Sequence, residues 1–459
     1  MEIFLYAALG VAIPNTDTLH IHNPPSIDST RQIIHQLSLV CHRWRNLILA
    51  TPYLWSFISF NVGYGDNTRI LQLSLNRASE RSLNVEITDS TSTIYGESDL
   101  SERSLDAYRV LLETCTRWKS LRFSILSPSD ILNNAPEGIK PQFPLLESLS
   151  FDSMVDLDRI TFPKDDEHWL LSALLDAPRL TRLVIINPRL LNAVPCHQLT
   201  SLEIHRLCGT SERVLQILQA CQGLRYLTLN SWFAQSGSLP RAQELKHGNL
   251  RHLSISMRGA VHIGTVSLFD SLVLPSLVVL RVVYEPRELN LFWPPQTLIR
   301  LIKRSSCILQ TLALYVNVTC MLNAFMEALL PEIPTLLYLD ITFIAEDRHD
   351  ELERAIVGLL WQLAVRPSKR SSPSRVAPLL LPKLLEIRIQ HSCNRWGVIT
   401  ATKDGLKHLA RSRNRANIVA LECLGDVLPL VSASHTVWGP PRADYIKRDL
   451  VLNMISDSG

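Results

Sequence analysis

An α/β fold, with a small N-terminal helical module followed by an irregular repeat solenoid on a curved parallel sheet, is what this sequence predicts. Three observations predict it. A short apolar motif recurs ten times through the middle of the 459-residue chain, stretches of helical period lie between many of the copies, and one apolar helix near the N-terminus carries more apolar surface than its own module can bury.

The motif runs apolar, two residues, apolar, one residue, apolar. It occurs as WKSLRF (118–123), LESLSF (146–151), LTRLVI (180–185), LTSLEI (199–204) and LRYLTL (224–229). It continues as LRHLSI (250–255), LVVLRV (277–282), LQTLAL (309–314), LLYLDI (336–341) and LLEIRI (384–389). Most steps between starts lie near 20–29 residues, room for one strand and one connecting element. The last four residues of each copy alternate apolar and variable, the period of a strand with one buried face. Helical period precedes several copies, in DDEHWLLSALLDAP (165–178), TSERVLQILQAC (210–221), PQTLIRLIKRSS (295–306) and DELERAIVGLLWQL (350–363). Stacking such units gives a right-handed, parallel-stranded solenoid with its strands on the concave side.

Over roughly residues 110–430 the pattern resembles the leucine-rich repeat family. That family prefers Asn or Cys eight residues after the first apolar position, and here the copy at Leu309 complies with Asn317. The other copies hold Leu126, Met154, Pro188, Leu207, Trp232, Arg258, Glu285, Ile344 and Ser392 there. Without an asparagine ladder at the turn, the expected arc is irregular with variable loops. An ordinary α/β sheet with leucine-rich strands is the alternative.

The variable strand positions would face away from the core onto one surface. Its candidate substrate-binding residues are Arg122, Asp152, Glu203, His205, Asn230, Arg281, Tyr315, Asp340 and Arg388. Both signs of charge are mixed there and no basic stripe tracks a phosphate backbone, so the surface suits a protein rather than a nucleic acid.

Composition points the same way. A formal charge of +3 supplies no field for nucleic acid or an anionic membrane. Nine cysteines without a CxxC fit a reducing cytoplasmic or nuclear compartment, and the apolar run MEIFLYAALGVAIP is short for a membrane span and lacks a basic flank. The chain contains no GxGxxG after a strand, GxxxxGK[ST], HExxH or GxSxG, so no catalytic residue, cofactor or metal site is expected. His20 and His22 lack a third ligand and precede Asn23-Pro24-Pro25, a loop sequence. KDDEH (164–168) reads as a helix N-cap, RPSKRSSPSR (366–375) as an exposed linker, and LARSRNR (409–415) as a basic helix end.

Residues 29–50 read as one amphipathic helix, with Ser29 and Thr30 as caps, Pro52 as the stop and Ile33, Ile34, Leu37, Val40, Cys41, Trp44, Leu47 and Ile48 as its stripe. EIFLYAA (2–8) and LSLVCHRWRNLILATPYLWSFISF (37–60) resemble the two halves of the F-box, in the form found in large fungal families with degenerate leucine-rich repeats. LQLSLNRASERSLNVEIT (71–88) is similar to that family's connecting helix and first strand. The resemblance divides the chain into an F-box-like module at 1–60 with a loop inserted at 9–35, a connecting segment at 61–109, and repeats with a C-terminal cap at 110–459. It implies a non-catalytic substrate receptor of a Skp-cullin-F-box ubiquitin ligase, whose partners are a Skp-type adaptor, the cullin-RING ligase and a protein substrate. Adaptor-facing residues would be Ile3, Phe4, Leu39, Val40, Cys41, Trp44 and Leu47, with Trp55 a packing residue. The family's Leu-Pro pair before Glu-Ile-Phe would fall before Met1, so that first adaptor contact is expected to be lacking. A leucine-rich repeat scaffold with no ubiquitin role is the competing class.

Overall fold

The computed structural model describes residues 27–61, 68–88, 102–124, 141–151, 169–186, 191, 194–234, 244–258, 262–285, 295–317, 328–344, 359, 363, 381, 383–384, 386–391 and 419–423. The chain divides into two compact units, Met1–Leu202 and Glu203–Gly459.

The first unit opens with helices α1 (Ile27–Ser38) and α2 (His42–Leu49), a 3-10 turn at Pro52–Ser56 and strand β1 (Phe57–Asn61). It continues through α3 (Thr68–Ala78), β2 (Leu83–Thr88), α4 (Glu102–Leu112), β3 (Trp118–Ser124), β4 (Ser148–Phe151), α5 (Trp169–Leu175) and β5 (Arg182–Ile185). These strands pair in parallel and in chain order, with Phe57 opposite Asn84, Leu121 opposite Leu149 and Leu149 opposite Leu183. Strand β6 (Ser201–Ile204) spans the division.

The second unit holds β7 (Leu207–Gly209), α6 (Ser211–Ala220), β8 (Tyr226–Ala234), β9 (Leu245–Lys246), β10 (His252–Arg258), α7 (His262–Ser271), β11 (Leu272–Val273) and β12 (Val279–Glu285). It ends with α8 (Pro295–Ser305), β13 (Thr311–Asn317), β14 (Tyr338–Ile344), β15 (Glu386–His391) and β16 (Val419–Cys423). Here too neighbouring strands are parallel and follow the repeats. The class is therefore α/β with parallel sheet in each unit, one strand for each repeat.

Register explains why the motif works. Leu227, Leu253, Leu280, Leu312, Leu339 and Ile387 fall opposite one another from β8 to β15, and each is at most 2% exposed. Leu229, Ile255, Val282, Leu314 and Ile341 form a second buried row. Burying these rows is the main driving force for stacking the repeats.

Five of the ten repeat strands are preceded by a proline turn. FPLL (143–146), APRL (177–180), LPSL (274–277), IPTL (333–336) and LPKL (381–384) each place an apolar residue, then proline, three positions ahead of the first leucine. The leucine N–H donates back to that residue's carbonyl, as in Leu277 to Leu274 at 3.2 Å and Leu336 to Ile333 at 3.1 Å. Proline fixes φ for the first central position of such a turn and removes a donor that has no partner there. The Phe143, Ala177, Leu274, Ile333 and Leu381 side chains are buried beneath it.

At the strand entrance backbone hydrogen bonds tie successive repeats together. One carbonyl per repeat accepts two N–H groups from the next: Arg225 from Arg251 and His252, both at 2.9 Å, and Arg251 from Val278 and Val279, both at 2.9 Å. Gln310 accepts from Leu337 and Tyr338 at 2.8 and 2.9 Å in the same way. Among the connecting helices, α8 buries Leu298, Leu301 and Ile302, and its Arg300 grips Asp270 of α7 through two bonds of 2.9 Å. Arg304 donates to the Phe269 and Leu272 carbonyls at the end of α7, where a cation is favourable.

The single helix expected over 29–50 is two. Helix α1 starts at Ile27, so Ser29 and Thr30 lie inside it rather than capping it. Residues 27–35, which the sequence assigns partly to an inserted loop and partly to the helix, are helical. The break falls at Leu39–Cys41. Leu39 and Val40 N–H groups bond to Gln36 and Leu37 carbonyls, tightening the last turn, and Cys41 is extended (φ −162°, ψ 167°) at the start of α2. Arg45 Nε donates to the Ser38 carbonyl at 3.3 Å, satisfying an orphan acceptor at the end of α1. Apolar spacing carries on across the corner, so with no Gly or Pro the periodicity could not reveal it.

Candidate docking faces

The helical corner of the first unit is held from beneath. Ile34, Ile48 and Leu54 form its buried centre, with Ile33, Leu37 and Trp55 packed against them. The Trp55 Nε1–H donates to the Ile48 carbonyl at 2.9 Å, and the Arg77 guanidinium lies 4.4 Å above the Trp55 ring. This fixes the end of α2 to the turn and to α3. Trp55 packs, as its sequence position suggested.

With that side inward, the corner itself points to solvent. Leu39 is 61% and Val40 60% exposed, Cys41 is an exposed free thiol, and Trp44 and Leu47 are half-buried beside them. Two adjacent large apolar side chains on a hydrogen-bonded helix corner gain nothing from folding, which makes them a candidate for burial by another protein. Ile3 and Phe4 lie outside the described residues.

The strand faces are polar, and register decides which groups meet. In the first unit Glu86 and Arg122 sit directly opposite on β2 and β3, with Arg122 Nε 3.6 Å from Glu86 Oε1. In the second unit Glu203 Oε1 accepts from Asn230 Nδ2 at 2.8 Å and lies 3.5 Å from His205 Nε2. Further along, Arg281 Nη2 donates to the Tyr315 hydroxyl at 2.9 Å, with the guanidinium 5.3 Å from the ring centroid. Asp340 occupies the same cross-strand row as Arg281, with Ala313 between them, and Arg388 follows on β15. Asp152 and the Arg388 side chain lie outside the described residues. So do His20, His22, the 164–168, 366–375 and 409–415 segments, and most of 350–363, of which Leu359 and Leu363 are buried.

No protein-family model matches this chain, and no curated protein matches it. Among the described residues no group of three or more His, Cys, Asp or Glu side chains could hold a metal ion, and no helix is long and apolar enough to cross a membrane.

One residue on the second unit's strand face makes a pH prediction. The His252 ring stacks on Tyr226 with centroids 4.4 Å apart. Burial first, and the Arg251 charge second, hold its pKa below the usual 6.5. The unfolded chain therefore takes up the proton at a higher pH than the folded one. Stability from this site is complete above 6.5 and falls as the pH drops below it. Urea unfolding should show the wild type losing more stability than His252→Phe between about pH 7 and 5. Equal losses would remove His252 as the cause.

Proposed function

We propose that this chain is the substrate-recognition subunit of a Skp-cullin-F-box ubiquitin ligase, with the α1–α2 corner docking the adaptor and the strand face holding a protein substrate. The observation that carries the reading is the pair Leu39 and Val40, each about three-fifths exposed on a corner fixed from the other side by Ile48 and Trp55. The resemblance of 37–60 to the second half of the F-box assigns an occupant to that corner, and the polar parallel sheet supplies a separate face for cargo. Transfer of ubiquitin belongs to other subunits, so no catalytic group is required of this one.

The test is co-expression with a Skp adaptor followed by gel filtration. Wild type is expected to co-elute with the adaptor. Leu39→Asp with Val40→Asp should weaken binding at least about thirtyfold, the scale of one interface hot spot, while leaving the melting temperature unchanged because both side chains are already in water. If wild type fails to associate, or the double variant binds as well, the ligase reading is lost. The polar strand face then supports the second reading, a scaffold that binds a protein without recruiting ubiquitin machinery.

A further inference from the structure

Two of the arginines described above are neutralised by a carboxylate: Arg122 by Glu86 at 3.6 Å and Arg300 by Asp270 at 2.9 Å. Arg281 is different. It is exposed on the strand face of the second unit, and among the described residues its partner is the Tyr315 hydroxyl and ring rather than a carboxylate. Tyr315 holds one nitrogen of the guanidinium, which reduces the rotamer freedom a free arginine would lose on binding. Tyr315 occupies the β13 side of the guanidinium, while on the β10 side its neighbour in the cross-strand row is the small Ser254.

We infer that Arg281, positioned by Tyr315, anchors an aspartate or glutamate side chain of the peptide segment that binds this face. A planar fork matches a carboxylate in two parallel hydrogen bonds. One cation balances one negative charge, whereas a phosphoryl group carries nearly two and is met by arginine clusters. Asp340, two strands along the same row and therefore roughly 10 Å away, opposes a dianion further. The inference rests on the reading that the strand face holds a protein substrate, and it does not depend on the adaptor.

Selection of phage-displayed random dodecapeptides on the full chain tests it. Wild type should enrich sequences with Asp or Glu at one fixed position, and Arg281→Glu should enrich Lys or Arg there. In synthetic peptides of the selected consensus, changing that residue to Gln should weaken binding about tenfold. Arg281→Gln should weaken the acidic peptide equally and the Gln peptide no further, and Tyr315→Phe should weaken it by a few-fold. A consensus without an acidic residue, the same consensus on both proteins, tighter binding of the phosphoserine version, or no enrichment at all overturns the assignment. Adaptor co-elution, measured on the same preparations, reports separately on the ligase reading.

Discussion

Replacing Trp232 with alanine should lower the unfolding free energy of the second unit by about 3–5 kcal/mol, the cost of truncating a fully buried aromatic side chain. Strand β8 is bulged: Leu229 lies opposite Ile255, but it is Trp232, not residue 231, that lies opposite Met257. The extra residue turns Trp232 inward, where it is fully buried between Leu207 of β7 and Met257 of β10. Its Nε1–H donates to the Gly209 carbonyl at 3.2 Å. Trp232 lies eight residues after Leu224, and it gives its side-chain N–H to backbone of the preceding segment. Two contributions can be separated. Trp232→Phe keeps most of the apolar volume and loses the hydrogen bond, so it should cost more than the bond's net worth of about 1 kcal/mol but well under the alanine value. Urea unfolding of both variants checks this, and a Phe variant as unstable as the Ala variant would mean that the bond, not the packing, dominates.

Trp232 also shows where sequence reasoning stops. Strict alternation from Leu227 and Leu229 puts position 231 inside and 232 outside, and a bulge reverses that without any marker in the residues themselves. The strands and buried leucines were legible because one period-2 pattern recurs ten times, and repetition averages out local exceptions. The proline turns recur half as often, in FPLL, APRL, LPSL, IPTL and LPKL, and begin three residues ahead of the motif. The break at Leu39–Cys41 was hidden for the opposite reason: it occurs once, in a stretch whose apolar spacing suits both one helix and two. Its consequence for the surface is large, because the corner is what exposes Leu39 and Val40. Side-chain pairing on the strand face was least accessible of all. Arg122 and Arg281 occupy the same motif position, yet register gives the first a carboxylate on the neighbouring strand and the second a tyrosine.

That difference predicts opposite phenotypes for two similar substitutions. Glu86 is 4% exposed, and Arg122 lies across from it with its Nε 3.6 Å from the carboxylate. Arg122→Ala removes the cation and leaves the carboxylate buried, so it should destabilise the first unit by about 3 kcal/mol, the low end for a broken buried pair because the arginine is itself partly exposed. Removing both charges with Glu86→Leu and Arg122→Met should recover most of that loss, since apolar replacements avoid the desolvation penalty. Arg281→Gln, on an exposed cation with no carboxylate partner among the described residues, should stay within about 0.5 kcal/mol of wild type in the same urea experiment. Its effect should appear in peptide binding instead. If Arg281→Gln proved the destabilising one and Arg122→Ala the neutral one, Arg281 would be a structural arginine and its assignment as a peptide anchor would be lost.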